Sequence, residues 1–346
     1  MSCSGTQYKN FRDGKKNLVA TEKKGSTMDT CATIHEDYIC CNVKVLKSVS
    51  NCPFECSYCF LQDYLNTGDL SYIADTQSLL AEVKEKTAAQ PWRLFRIGTW
   101  ELGDSLAMEA ETGQAQTLIE AFRHIPNALL ELKTKSDVVD SILNCTHDLK
   151  TVVSWSLNPA AIVDKEEHKT APLAQRLAAL KKVVAAGYLI GLHFDPMIAY
   201  PGWEADYQEL IEQVFDCVKA PQIAWISIGS LRFNPEQKRL MHINYPGSRI
   251  ASEEMVLGPD RKLRYVKDFR IAMYQLLYSQ LLKHQANKSL IYLCMERWDM
   301  WEKILGKSPS SIGHLDYLFA ESLSQRYPHL AHLKPDLDLY IQHQNS

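Results

Sequence analysis

The sequence lacks the features that would place it in a membrane or outside a cell. Its 346 residues hold no run of 18 apolar residues, so no helix is expected to cross a bilayer. The first 29 residues contain no apolar core segment of the kind a secretory signal needs. A cytoplasmic protein without a membrane partner is the expectation. No sign of charge dominates: the formal net charge is -3, which gives the chain as a whole no nucleic-acid footprint. Basic residues gather only locally, six against two acids over residues 9–24 and nine against five over 228–270. Such stretches are commonly solvated surface and sometimes phosphate contacts. Internal repeats and low-complexity tracts are absent.

Cysteine is not scarce. Ten cysteines in a chain of this size, without an export signal, are expected to be reduced thiols available to a metal rather than disulfides. With 46% hydrophobic and 23% charged residues, the composition is that of a globular protein with a sizeable core.

Residues 1–35 are polar and poor in periodic apolar positions, and read as a flexible arm. From there the pattern alternates. Strands are expected at 41–46, 92–97, 128–132, 151–157, 188–194 and 223–228. Helices are expected at 75–88 with Asp75 as N-cap, and at 114–122, 136–143, 173–186 and 204–218. Alternation of this kind means parallel βαβ units, and six of them predict an α/β fold, a partial (β/α)6 barrel over 36–230. Residues 231–346 read as a mostly helical capping region continuous with the barrel, with one late strand at 290–294 and a long helix at 260–284. In such barrels the chemistry sits at the C-terminal ends of the strands.

Directly after the first of these strands comes Cys52-Pro53-Phe54-Glu55-Cys56-Ser57-Tyr58-Cys59-Phe60-Leu61-Gln62. Three thiolates within eight residues can wrap one face of an iron–sulfur cubane and leave one iron without a protein ligand, where a small molecule can bind. A zinc site would need a fourth ligand, for which His35 or Cys40 is available.

Cys-x3-Cys-x2-Cys after the first strand of a βα barrel resembles the radical S-adenosylmethionine superfamily, and the longer string through Gln62 resembles more narrowly the spore photoproduct lyase family. The resemblance implies a radical-SAM-type barrel and a four-iron four-sulfur (4Fe-4S) cluster on Cys52, Cys56 and Cys59. It implies S-adenosylmethionine chelated at the open iron and cleaved by one electron to a 5′-deoxyadenosyl radical, which abstracts hydrogen from a substrate. A DNA pyrimidine lesion is the substrate implied, and flavodoxin or ferredoxin the kind of electron donor.

By the same resemblance Gly98, Thr99 and Glu101 meet the amino group of the cofactor. Lys135 and Ser156 meet its carboxylate and ribose, with Asn158 and Tyr58 beside them. His193 and Asp195 alternate with apolar neighbours, so both face one way, toward substrate or cofactor. Arg232 is a candidate for a phosphate and Phe233 for stacking on a base. The family also carries a cysteine after its second strand that returns a hydrogen atom to the product radical. Here that place falls at or next to Glu101, and no cysteine lies between Cys59 and Cys145. The family's β-hairpin wedge is not evident either. The alternatives are a non-catalytic zinc- or cluster-binding nucleic-acid-binding module and a radical enzyme with a substrate other than nucleic acid. No residue is assigned a catalytic role from the sequence.

Overall fold

The computed structural model describes residues 14–31, 35–330 and 332–344. Eight strands form one curled sheet: β1 Met28–Thr30, β2 Lys44–Leu46, β3 Phe95–Gly98, β4 Ala128–Thr134, β5 Thr151–Ser156, β6 Leu189–Met197, β7 Ile223–Ser230 and β8 Leu290–Leu293. Their order in space is their order in the chain. β2 to β8 run parallel, each hydrogen-bonded to the next, and β1 pairs antiparallel with β2. β3, β5 and β7 are buried at every residue, as strands covered on both faces must be. The result is a half barrel.

Four of the five expected helices form, Thr76–Ala89, capped by the Asp75 carboxylate as expected, Gln114–Phe122, Leu173–Ala185 and Trp203–Phe215, and an unexpected short helix, Ala160–Glu166, follows β5. Thr76–Ala89 buries Leu79, Leu80 and Val83, one i, i+1, i+4 face. The six expected strands are β2 to β7. The late strand joins the sheet beside β7 as β8. The far end of the barrel is sealed by the helix Ile312–Arg326. Its Asp316 takes Arg93 at 2.8 Å and Arg96 at 3.2 Å, and its Arg326 donates to the Ile223 carbonyl at the start of β7 at 2.6 Å. Its Phe319 packs edge-on against Trp225 and Tyr292.

Several expectations are corrected. The first strand begins at Lys44 rather than 41, because Asn42 has φ 52° and cannot continue a β-strand. Part of the supposed flexible arm is ordered: Leu18–Thr21 pairs parallel with Leu70–Ile73, and Met28–Thr30 is β1. Residues 1–13 lie outside the described residues. No helix forms at 136–143. The Ser136 hydroxyl accepts from the Val138 amide at 3.0 Å, and side chains of Trp155 and Tyr188 take the carbonyls of Ser136 and Ile142 that a helical ladder would need.

The long helix expected at 260–284 is shorter, Lys267–Lys283, and is preceded by an antiparallel hairpin of Met255–Leu257 and Leu263–Tyr265. Gly258 to Arg261 make its turn, with Arg261 at φ 59° and Asp260 holding Arg264 at 2.6 Å. A third strand, Arg232–Phe233, pairs with Leu263–Tyr265. Val256 and Leu257 are exposed on this hairpin.

Candidate active site

The cysteine loop is held from several sides. Asn51, at φ 68°, caps the Cys52 amide through Oδ1 at 2.8 Å and reaches the Gly68 carbonyl through Nδ2 at 2.7 Å. Glu55–Cys56 pairs antiparallel with Glu167–His168, which follows the helix after β5. Ser57 donates its amide to the Glu166 carbonyl at 2.8 Å and its hydroxyl to the Glu166 carboxylate. Gln62 and Gln237 donate to loop carbonyls, Gln237 to that of Tyr58 at 2.8 Å. Cys52 and Cys56 are buried and Cys59 half-buried.

Burial raises the Cys52 thiol well above its usual range, and Asp104 and Cys59 add to this. The Cys56 thiol is pushed up to about 12 by burial, against the opposing pull of Lys135. The Cys52 and Cys56 thiols, which resist ionisation, become favourable anions once iron takes them. Among the described residues no three His, Cys, Asp or Glu side chains converge on a single-ion site. A cubane does not require that, because each cysteine binds its own iron.

Beneath the loop lies a buried network. Glu167 pairs with Arg176 at 2.6 Å, both side chains fully buried. It also accepts from the Tyr58 hydroxyl and from Asn158 Nδ2 at 2.9 Å. Asn158 Oδ1 accepts from the Tyr207 hydroxyl at 2.7 Å, and Arg176 reaches the Ser156 carbonyl at 3.1 Å. The polar ends of Tyr58 and Asn158 are thus consumed inside the protein. The Ser156 hydroxyl, by contrast, hydrogen-bonds no described residue, and Ser156 lies in register with His193.

Lys135 stands at the mouth end of β4. Its amide donates to Asp104 Oδ2 at 2.7 Å, and Thr134 donates to Asp104 Oδ1 at 2.6 Å, so Asp104 ties the loop after β3 to the tip of β4. The Lys135 ammonium lies 5.7 Å from the Tyr58 ring centroid and hydrogen-bonds no described residue. Burial lowers its pKa, but Glu167 and Cys56 outweigh that and raise it, so it stays charged. A half-buried ammonium beside Cys56 without an acceptor fits the carboxylate of an amino-acid-bearing cofactor.

The loop after β3 is less open than expected. Thr99 donates its hydroxyl to Ser105 at 2.8 Å. Glu101 is buried near Lys47. A Cβ on Gly98 would come within 2.2 Å of Trp100 Nε1, so the close approach that requires glycine is to Trp100.

The barrel interior gathers His193, Asp195 and Arg232. His193 Nε2 sits 2.8 Å from Glu131, whose carboxylate also takes Ser154 at 2.7 Å, Trp100 Nε1 at 2.9 Å and Trp225 Nε1 at 3.2 Å. Asp195 holds Arg232 through both oxygens at 3.0 and 3.2 Å, and Arg232 also reaches Cys294 Sγ at 3.1 Å. Phe233 is 1% exposed in the core, so its ring offers no face to a base. That expectation is corrected: its strand position turns the side chain inward, away from solvent. Sequence reasoning missed Asp104, Glu131, Glu167 and Arg176. Only Glu131, an acid within the apolar strand Ala128–Thr134, carried a signal.

A half barrel of parallel strands with a three-cysteine loop after its first parallel strand is the fold and site of a radical S-adenosylmethionine enzyme. The family model described as spore photoproduct lyase matches residues 3–296. The spore photoproduct lyase of Bacillus subtilis (strain 168) is 25% identical over 285 residues, 81% of this chain and 79% of the relative. That of Geobacillus sp. (strain Y412MC61) is 24% identical over 259 residues, 72% of each. The solved structure of a doubly substituted spore photoproduct lyase with bound AdoMet and dinucleoside spore photoproduct superposes with a TM-score of 0.73 at 21% identity, covering 82% of this chain and 83% of that one. The chain belongs to the spore photoproduct lyase family. No helix among the described residues is long and apolar enough to cross a membrane.

Proposed function

We propose that this chain is a radical S-adenosylmethionine lyase that acts on a pyrimidine lesion in DNA. The observation that carries the cofactor part is the acceptor-less Lys135 ammonium beside Cys56. When bound, the cluster and S-adenosylmethionine supply a radical that removes a hydrogen atom from the substrate. This chain's residues bind and orient. Cys52, Cys56 and Cys59 hold the cluster, Lys135 the cofactor's carboxylate and Ser156 its ribose. Gly98, Thr99 and Glu101 line the side of its amino group. Tyr58 and Asn158 act at one remove, by fixing Glu167 under the cysteine strand. A small reduced electron-transfer protein, a flavodoxin or ferredoxin, supplies the electron, and the reaction runs in the cytoplasm.

The substrate reading is supported by the relatives' spore photoproduct activity and by the hairpin at Met255–Tyr265. A second reading, a radical enzyme acting on a different substrate, is favoured by the lack of any cysteine between Cys59 and Cys145, whether at Glu101 or next to it. One experiment separates them: anaerobic, reconstituted protein with labelled S-adenosylmethionine and ultraviolet-irradiated DNA. Cofactor cleavage with repaired base is expected, and Cys56→Ala abolishes both. Cleavage without repair removes the DNA reading, and an intact cluster without cleavage removes the enzyme reading.

A further inference from the structure

We infer that Lys133, standing on the indole of Trp100, is the site that holds a backbone phosphate of the substrate; this rests on the nucleic-acid reading above. The argument begins with the pleat of β4. Alternate residues share a face, and Glu131 meets side chains of β5, β6 and β7, so its face is the barrel interior. Lys133 and Lys135 continue that face from the closed floor to the mouth. Each ammonium stands on an aromatic ring, Lys133 at 3.8 Å from the Trp100 centroid and Lys135 at 5.7 Å from that of Tyr58. Neither hydrogen-bonds a described residue.

The carboxylates nearest Lys133 are already engaged. Glu131 accepts from His193, Ser154, Trp100 and Trp225, and Asp195 accepts twice from Arg232. Lys133 acts on Glu131, His193 and Asp195 only through space. Arg232, the residue the sequence offers for a phosphate, is neutralised by Asp195. Lys133 is left in this part of the mouth as a positive charge with no hydrogen-bond acceptor among the described residues. A cation–π contact returns less than an ammonium loses on leaving water, so an anion is the fitting partner.

Two anion sites two residues apart on one strand lie on the order of 7 Å apart. That places a substrate anion next to the cofactor held by Lys135. A compact ammonium suits a phosphodiester, and the half-exposed indole beside it offers an aromatic surface to the attached base. Trp100 is itself fixed: its N–H is held by Glu131, and Gly98 leaves room for the ring.

The test compares two probes on the reconstituted, cofactor-loaded protein: the dinucleotide spore photoproduct, which carries the bridging phosphate, and the dinucleoside form, which lacks it. Equilibrium binding is measured for the wild-type chain, Lys133→Gln and Lys133→Arg. The expected result is roughly tenfold tighter binding of the dinucleotide by the wild type, retained in Lys133→Arg and lost in Lys133→Gln. Dinucleoside affinity in Lys133→Gln is expected to stay at the wild-type level, which reports that the site is still built. A preference that survives Lys133→Gln, a wild type without preference, or equal loss of both probes overturns the proposal while leaving the DNA reading standing. A wild type that binds neither probe but still binds S-adenosylmethionine overturns the DNA reading, and the proposal with it.

Discussion

Glu131 of β4 and His193 of β6 meet at 2.8 Å across the intervening strand β5, both side chains at most 4% exposed. Burial alone would raise the Glu131 carboxyl, but His193, Lys133 and Ser154 outweigh it and hold it down at about 2. Burial lowers His193 in turn. Both groups therefore bind fewer protons folded than unfolded, and both stabilise the fold at neutral pH. The His193 contribution is complete above its unfolded value and is lost as pH falls through its lowered one. That of Glu131 is complete above about pH 4.5 and is lost toward pH 2. We expect Glu131→Gln to flatten the acid limb of the stability profile by up to about 3 kcal/mol, measured by urea unfolding from neutral to acid pH. An unchanged acid limb refutes this.

The Glu167–Arg176 pair is the support under the cysteine strand. Arg176→Met leaves a fully buried carboxylate without its cation and should cost about 3 to 5 kcal/mol in denaturant unfolding. Adding Glu167→Gln should recover part of that loss, because the stranded charge is gone. Strictly additive losses would show that the pair is not coupled.

Gly98 is needed for steric reasons rather than for its backbone angle. Gly98→Ala should displace Trp100, cost about 1 to 3 kcal/mol and break the indole's bond to Glu131. The readout is thermal unfolding together with the near-ultraviolet circular dichroism of tryptophan. A variant with the stability and spectrum of the wild type contradicts the close contact.

Cys294 at the end of β8 feels two opposing charges. Burial raises its thiol first, Asp195 raises it further and Arg232 lowers it. Asp195→Asn should therefore speed alkylation of Cys294 several-fold at neutral pH, and Arg232→Met should slow it, followed by mass spectrometry. Equal rates in both variants would remove the electrostatic account.

Much of the barrel was legible. Six strands and most helices could be placed because a parallel sheet covered on both faces writes itself as short apolar runs separated by amphipathic helices. What misled was local chemistry that periodicity does not carry. The turn Gly258-Pro259-Asp260-Arg261 splits a stretch that reads as helix, and the side chains of Trp155 and Tyr188 take carbonyls within 136–143 that a helix would use. The short segments 18–21 and 28–30, set in a polar and poorly periodic stretch, are strands because a neighbour supplies their hydrogen bonds.

The sequence by itself determined the cysteine loop, since three ligands for one cluster lie within eight consecutive residues and their spacing needs no fold to be read. Tertiary structure alone decided which polar groups remain available. Asn158, Tyr58 and Arg232 are spent on Glu167, Tyr207 and Asp195, all at least nine residues away in the chain, while Lys133 and Lys135 are left without an acceptor among the described residues. The reason is physical: a side chain's chemistry depends on what meets it in space, and pairings between distant strands leave no periodic trace in the chain.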